Sequence, residues 1–197
     1  MGEVIVVAGP ARSGKSAWAE YLACQSGRPV IYVATAQSDP QDLEWQARIE
    51  AHRQRRPAAW VTLEAPLELG DVVRQLAPDH CLLVDSLGTW VAAYLEEPET
   101  AWNGRVDDLV AALNQTSGLV VLVAEEVGWG MVPAYPVGRL FRDRLGSLVQ
   151  RVARPAGRVY LVTTGYVLDL TQVGIPLPSA SREDTACTDK NPTGERD

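Results

Sequence analysis

Two stretches of this 197-residue chain gather residue types that do chemistry together. The first is "GPARSGKS", Gly9 to Ser16, which satisfies the spacing G-x-x-x-x-G-K-[ST] at each fixed position. Glycines such as Gly9 and Gly14 let backbone N–H groups turn toward phosphate oxygens, with Pro10, Ala11, Arg12 and Ser13 completing the arc between them. Lys15 can then reach the β and γ oxygens of a nucleoside triphosphate, ATP or GTP, and Ser16 can ligate Mg2+. An apolar run, "VIVVA" at 4–8, precedes the arc and a helical pattern over 14–25 comes after it, so a helix N-terminus adds its dipole. A glycine-rich turn with a surface lysine is the bland alternative.

The second stretch is "RIEAHRQRRP", residues 48–57, where His52 is flanked by Arg48, Arg53, Arg55 and Arg56 in a chain whose net charge is -7. Helix-start signals at Ser38, Asp39 and Pro40 and a stop at Pro57 predict a helix near 40–55. On it Arg48 and His52 are four apart, and Arg55 and Arg56 lie three and four beyond, so one face carries the cluster. Three readings fit: a solvated basic face, a triphosphate clamp in which His52 only donates a hydrogen bond, and a nucleophile that receives a nucleotidyl group. In the third, nearby cations disfavour imidazolium and leave a ring nitrogen lone pair free to attack phosphorus. The arginines would then neutralise charge developing on the phosphoryl oxygens.

A metal-holding acid belongs at the end of another buried strand, and Asp85, closing "CLLVD", is the candidate, with Ser16 as its companion ligand. Its alternative role is to cap a helix beginning near Ser86. Glu125 and Glu126 close "LVVLVAEE", where two adjacent carboxylates would help position Mg2+ or a nucleophile, or simply face solvent. His80, after a turn-like "APD", reads as structural.

The elements that must hold these residues are marked by the apolar runs "VIVVA", "VIYVA" (30–34), "CLLVD" (81–85), "LVVLVA" (119–124) and "VYLVTT" (159–164). Helical patterns over 66–76, 86–97, 104–115 and 136–153 separate the later runs, which predicts an α/β fold with a mainly parallel sheet covered on both faces. One domain over 1–175 and a mobile polar tail over 176–197 are expected. With 46% hydrophobic and 22% charged residues the composition is that of a soluble protein, and the opening "MGEVIVVAGP" shows no signal-peptide pattern, so a cytoplasmic setting is expected. Cys24, Cys81 and Cys187 form no C-x-x-C pair and read as buried thiols, while the acidic balance disfavours nucleic acid as a partner.

Several motifs in order resemble one family, the bifunctional adenosylcobinamide kinase/adenosylcobinamide-phosphate guanylyltransferases of cobalamin biosynthesis. They are "GPARSGKS", "YVATAQ" (32–37), "ARIEAHRQRRP" (47–57), "WVTLEAP" (60–66), "LLVDSLGTWV" (82–91), "EVGWGMVP" (126–133) and "GRLFRDRLGSLVQRVA" (138–153). The resemblance implies a P-loop NTPase-like three-layer fold and two reactions. A triphosphate phosphorylates the aminopropanol hydroxyl of adenosylcobinamide, and GMP passes from GTP through a guanylylated His52 to adenosylcobinamide phosphate. It also implies guanine-nucleotide binding by Thr35, Ala36 and Gln37, by Arg53, Gln54, Arg55 and Arg56, and by Glu64 and Asp85. A homo-oligomer, a trimer, is implied as well, and Trp90, Tyr94 and Trp102 look available either to a subunit contact or to the core. The chain departs from the family pattern at Glu125 (Asn there), at "VPAY" over 132–135 ("VPEN") and at Val149 in "VQR" ("NQR"), all in the half implied to meet the corrinoid. A P-loop kinase for another small alcohol, without nucleotidyl transfer, and a GTP-dependent regulatory module are the alternatives.

Overall fold

Period-two burial organises the sheet. In β1 (Glu3–Gly9), Val4, Val6 and Ala8 pack into one apolar cluster while Ile5 and Val7 pack into another on the opposite face. β5 (Leu119–Glu125) splits the same way, with Val120, Leu122 and Ala124 on the first face and Leu119, Val121 and Val123 on the second. Strands apolar on both faces demand cover on both. The computed structural model describes residues 2–36, 42, 46–47, 49–50, 53–54, 56–64 and 68–178.

Among the described residues seven strands lie in the order β3-β2-β4-β5-β1-β6-β7, with β2 (Val30–Ala34), β3 (Val61–Glu64), β4 (Cys81–Asp85), β6 (Arg158–Thr163) and β7 (Tyr166–Asp169) joining the two above. Every pairing is parallel except β6 with β7. Helix α1 (Lys15–Gln25) covers one face through Ala19 and Ala23. On the other face lie α2 (Leu69–Arg74), α3 (Leu87–Ala92), α4 (Glu99–Gln115) and α5 (Pro136–Ala153). A short α6 (Leu170–Val173) comes after β7. The result is a three-layer α/β fold with the phosphate-loop strand inside a parallel sheet, the P-loop NTPase-like arrangement.

Several expectations change. Trp90, Tyr94 and Trp102 are 3%, 6% and 3% exposed, so they belong to the core and not to a subunit contact. Their rings meet in one cluster, with centroids 5.3 Å apart for Trp90–Trp102 and 5.6 Å for Trp90–Tyr94. Cys81 is buried, but Cys24 lies on the exposed side of α1. Helix α4 begins at Glu99, five residues before the predicted start, because Pro98 occupies its N-cap and Glu99 favours its first turn. Strands β3 and β7 add to the five strands that the apolar runs predict. β7 returns through a two-residue turn in which Thr164 and Gly165 both have positive φ, 49° and 82°, the geometry that joins twisted antiparallel strands. Within the predicted 40–55 helix, residues 46–47, 49–50 and 53–54 are helical and the remainder, except Asp42, lies outside the described residues, as do residues 179–197 of the predicted tail.

Candidate active site

The parallel strands end together at one edge of the sheet, and the loop after β1 opens there. Gly9 has no room for a side chain: a Cβ at this position would press into the Val162 carbonyl oxygen of neighbouring β6 and the Ser13 hydroxyl. Gly14, the N-cap of α1, has φ 95°, which a glycine adopts without strain. Arg12 also turns left-handed, at φ 58°. The first α1 hydrogen bond runs from Trp18 N to Gly14 O at 2.9 Å, so the N–H groups of the preceding turn have no helical partner and form an anion-binding end. Lys15 is 9% exposed and its Nζ lies 3.4 Å from the Pro10 carbonyl, folded over the loop. Ser13 Oγ is buried with no hydrogen-bond partner among the described residues.

Two strands away, Asp85 completes β4 and reaches back toward this loop. Its Oδ1 accepts from Ser16 Oγ at 3.3 Å and its Oδ2 from the Tyr32 hydroxyl at 2.8 Å. The helix cap is therefore Ser86, not Asp85: Ser86 and Thr89 form a capping box at the start of α3. Tyr32 in turn carries Arg56, whose guanidinium carbon sits 3.6 Å from the ring centroid, and Trp60, stacked at 6.3 Å. Burial first, and then the Asp85 carboxylate, raise the Tyr32 hydroxyl far above its ordinary 10.0, so the phenol keeps its proton and donates.

Of the other predicted residues, Thr35 is buried and committed to protein. Its hydroxyl donates to Ser86 O at 2.6 Å, accepts from Ser86 N at 2.8 Å and meets Thr89 Oγ1 at 2.5 Å. Ala36 comes next on the same loop, and Glu64 ends the exposed edge strand β3 at the same sheet edge, paired in register with Ala34. Arg53 and Gln54 are exposed and both turn to Glu50, at 3.9 Å and 3.2 Å. Gln37, Arg48, His52 and Arg55 lie outside the described residues. Glu125 is not a solvated loop residue: its Oε2 accepts from Gly88 N at 2.9 Å, bracing the start of α3. Glu126 N donates to Gly9 O at 2.9 Å, which ties β5 to the phosphate loop through its backbone.

A family model described as cobinamide kinase / cobinamide phosphate guanyltransferase matches residues 5–170. The chain belongs to this family. Curated relatives agree. The bifunctional adenosylcobalamin biosynthesis protein CobP of Pseudomonas aeruginosa is 40% identical over 176 residues, 88% of this chain and 95% of that protein. The CobU protein of the same description from Escherichia coli is 38% identical over 177 residues, covering 82% and 96%. That of Salmonella typhimurium is 39% identical over 177 residues, with the same coverage. A solved structure from Pyrococcus horikoshii OT3, at TM-score 0.52 and 10% identity over 86% of this chain and 85% of its own, shares the fold.

As a cobinamide kinase / cobinamide phosphate guanyltransferase, a transferase, the protein needs a place for phosphate charge. The oxygen pair Ser16–Asp85 at the base of the loop suits Mg2+, a hard cation that takes one or two protein oxygens and completes its shell from phosphates and water. Among the described residues no group of three or more His, Cys, Asp or Glu side chains could hold a metal ion. Sequence reasoning missed Tyr32 and Trp60 as parts of this network. A strand tyrosine reads as core, and only its phenol, in a run otherwise aliphatic, hinted at a polar partner. No helix among the described residues is long and apolar enough to cross a membrane.

Proposed function

We propose that this chain performs both transfers on one nucleotide site, first phosphorylating adenosylcobinamide and then guanylylating its phosphate through His52. In the first, the aminopropanol oxygen attacks the γ-phosphorus, its proton leaves to solvent, and the bond to the β–γ bridging oxygen breaks. Lys15 and the free N–H groups of α1 take up charge on the transferring phosphoryl group, and positioning does the rest. Mg2+, when bound by Ser16 and Asp85, supplies further neutralisation of the phosphate oxygens.

In the second transfer, a neutral His52 ring nitrogen attacks the α-phosphorus of GTP and pyrophosphate departs, leaving a phosphoramidate. A phosphate oxygen of adenosylcobinamide phosphate then attacks that phosphorus, the P–N bond breaks, and adenosylcobinamide-GDP leaves with the imidazole restored. Residues 53–56 and Glu64 bind the guanine nucleotide in this reading, together with Thr35, Ala36 and Gln37. The protein works as a homotrimer in the cytoplasm, without nucleic acid.

The observation that supports the reading most is the Ser16–Asp85 contact under the glycine loop, a hydroxyl and a carboxylate brought together from α1 and β4 as a Mg2+–triphosphate would need. Incubation with α-labelled GTP tests the rest. Acid-labile, alkali-stable label on the protein is expected, absent in His52→Asn, which still phosphorylates adenosylcobinamide. Absence of label on the wild-type protein leaves a kinase alone, and label retained in the variant moves the nucleophile elsewhere.

A further inference from the structure

Tyr32, at the centre of β2, faces two partners of opposite charge, Asp85 and Arg56. It is 1% exposed, on β2, which lies between β3 and β4 one strand in from the sheet edge. A phenylalanine would fill that volume equally well, so packing alone does not require the hydroxyl. The hydroxyl donates to Asp85 Oδ2 at 2.8 Å, while Asp85 Oδ1 faces Ser16 Oγ at 3.3 Å. With one oxygen held by the phenol, the carboxylate cannot rotate its other oxygen away from the serine without losing a charge-assisted hydrogen bond.

The ring face has a separate task. Arg56 Cζ stands 3.6 Å from its centroid, and Trp60 backs the ring from the same segment. Arg56 Nε is buried with no hydrogen-bond partner among the described residues. A guanidinium held against an aromatic face loses freedom to swing, which favours a contact of fixed direction with phosphate. Arg56 lies four residues after His52 in the sequence.

We propose that Tyr32 is a positioning residue that fixes Asp85 through its hydroxyl and Arg56 through its ring, so that one side chain sets both the metal-binding acid and this arginine relative to the phosphate loop. In this role Tyr32 acts through Asp85 and Arg56 and not on substrate itself. This inference rests on the reading of Ser16 and Asp85 as the Mg2+ side of a triphosphate site.

Titration of the full chain with a fluorescent N-methylanthraniloyl-GTP, with and without Mg2+, tests it. Tyr32→Phe retains ring and volume. Its metal-free Kd is expected within about twofold of wild type, while the Mg2+ concentration for half-maximal enhancement rises roughly tenfold, because the acid is no longer oriented. A merely structural hydroxyl would lower the melting temperature without moving that Mg2+ midpoint, and an unchanged midpoint overturns the hydroxyl's role. Ring-current shifts read the second contact without any destabilising substitution: the Arg56 Cδ protons should resonate upfield in both wild type and Tyr32→Phe. Unshifted protons overturn the ring's role. Wild-type protein whose nucleotide binding ignores Mg2+ altogether sinks the metal-site reading along with this inference, whereas a normal wild-type response with an unmoved Tyr32→Phe midpoint sinks this inference alone.

Discussion

At the scale of single residues, the phosphate loop combines tolerance and intolerance in a few positions. Gly9 is demanded by the approach of β6, since a methyl group there meets the Val162 carbonyl, which is backbone and cannot swing aside. Gly9→Ala is therefore expected to cost about 1–3 kcal/mol, seen as a lowered melting temperature, and to weaken GTP binding by displacing the loop. Glu125 offers a sharper test because its role depends on an acceptor and not on charge. Removing it in Glu125→Ala strands the Gly88 N–H at the start of α3, an expected loss of about 1–3 kcal/mol, while Glu125→Gln still presents a carbonyl oxygen and should retain most of the stability. Denaturant unfolding of the two variants checks this, and equal losses would make the carboxylate charge the operative feature. The phosphate loop was legible because its meaning lies in eight consecutive residues. The Tyr32–Asp85 bond was not, because it joins positions 53 apart and depends on which strands become neighbours.

At the scale of elements, the corner between α3 and α4 shows how charges lock helices that the apolar core has already brought together. Arg105 on α4 donates to both oxygens of Glu97 at 2.9 Å and to Glu68 at 2.5 Å, and stacks 4.3 Å over Tyr94. Arg144 on α5 reaches the Tyr94 and Glu97 carbonyls at 2.7 Å. The hydrogen bonds from Arg105 hold the Glu97 carboxyl below its ordinary 4.5. A carboxylate whose folded pKa is depressed contributes stability above its unfolded value and loses it as pH falls through the lower, folded one. Melting temperature should accordingly decline more steeply below about pH 4.5 in the wild type than in Glu97→Gln, which has no such proton to take up. Parallel acid limbs would remove Glu97 from the lock. Helices here were readable from apolar spacing, but their ends were set by Pro98 and by the Ser86–Thr89 box. The edge strands escaped notice for opposite reasons. β3 is four exposed residues with no buried face to read, and β7 depends on a tight turn, "TG", outside the commonest hairpin pairs.

At the scale of the whole molecule, exposed large apolar side chains among the described residues gather most densely in two separate places. One is the segment leaving β5 and entering α5, where Trp129, Met131, Val132, Tyr135 and Val137 are 57–95% exposed. The other is the far sheet edge with the segment beyond β7, where Tyr166, Leu168, Val173, Ile175 and Leu177 are 45–95% exposed. Two different contact surfaces are the requirement of a closed ring, since each subunit then presents one surface to the neighbour before it and another to the neighbour after. Light scattering of the intact protein should return about three times the 21.4 kDa chain mass. Charging either patch alone, Met131→Glu with Val137→Glu or Val173→Glu with Ile175→Glu, should give monomers, because both faces are needed in every contact. Mixing the two variants should then yield a dimer and nothing larger: each subunit retains the face its partner has lost, and a single intact contact can form. A trimer recovered on mixing, or a wild-type monomer, would take the ring arrangement away and leave both patches to substrate.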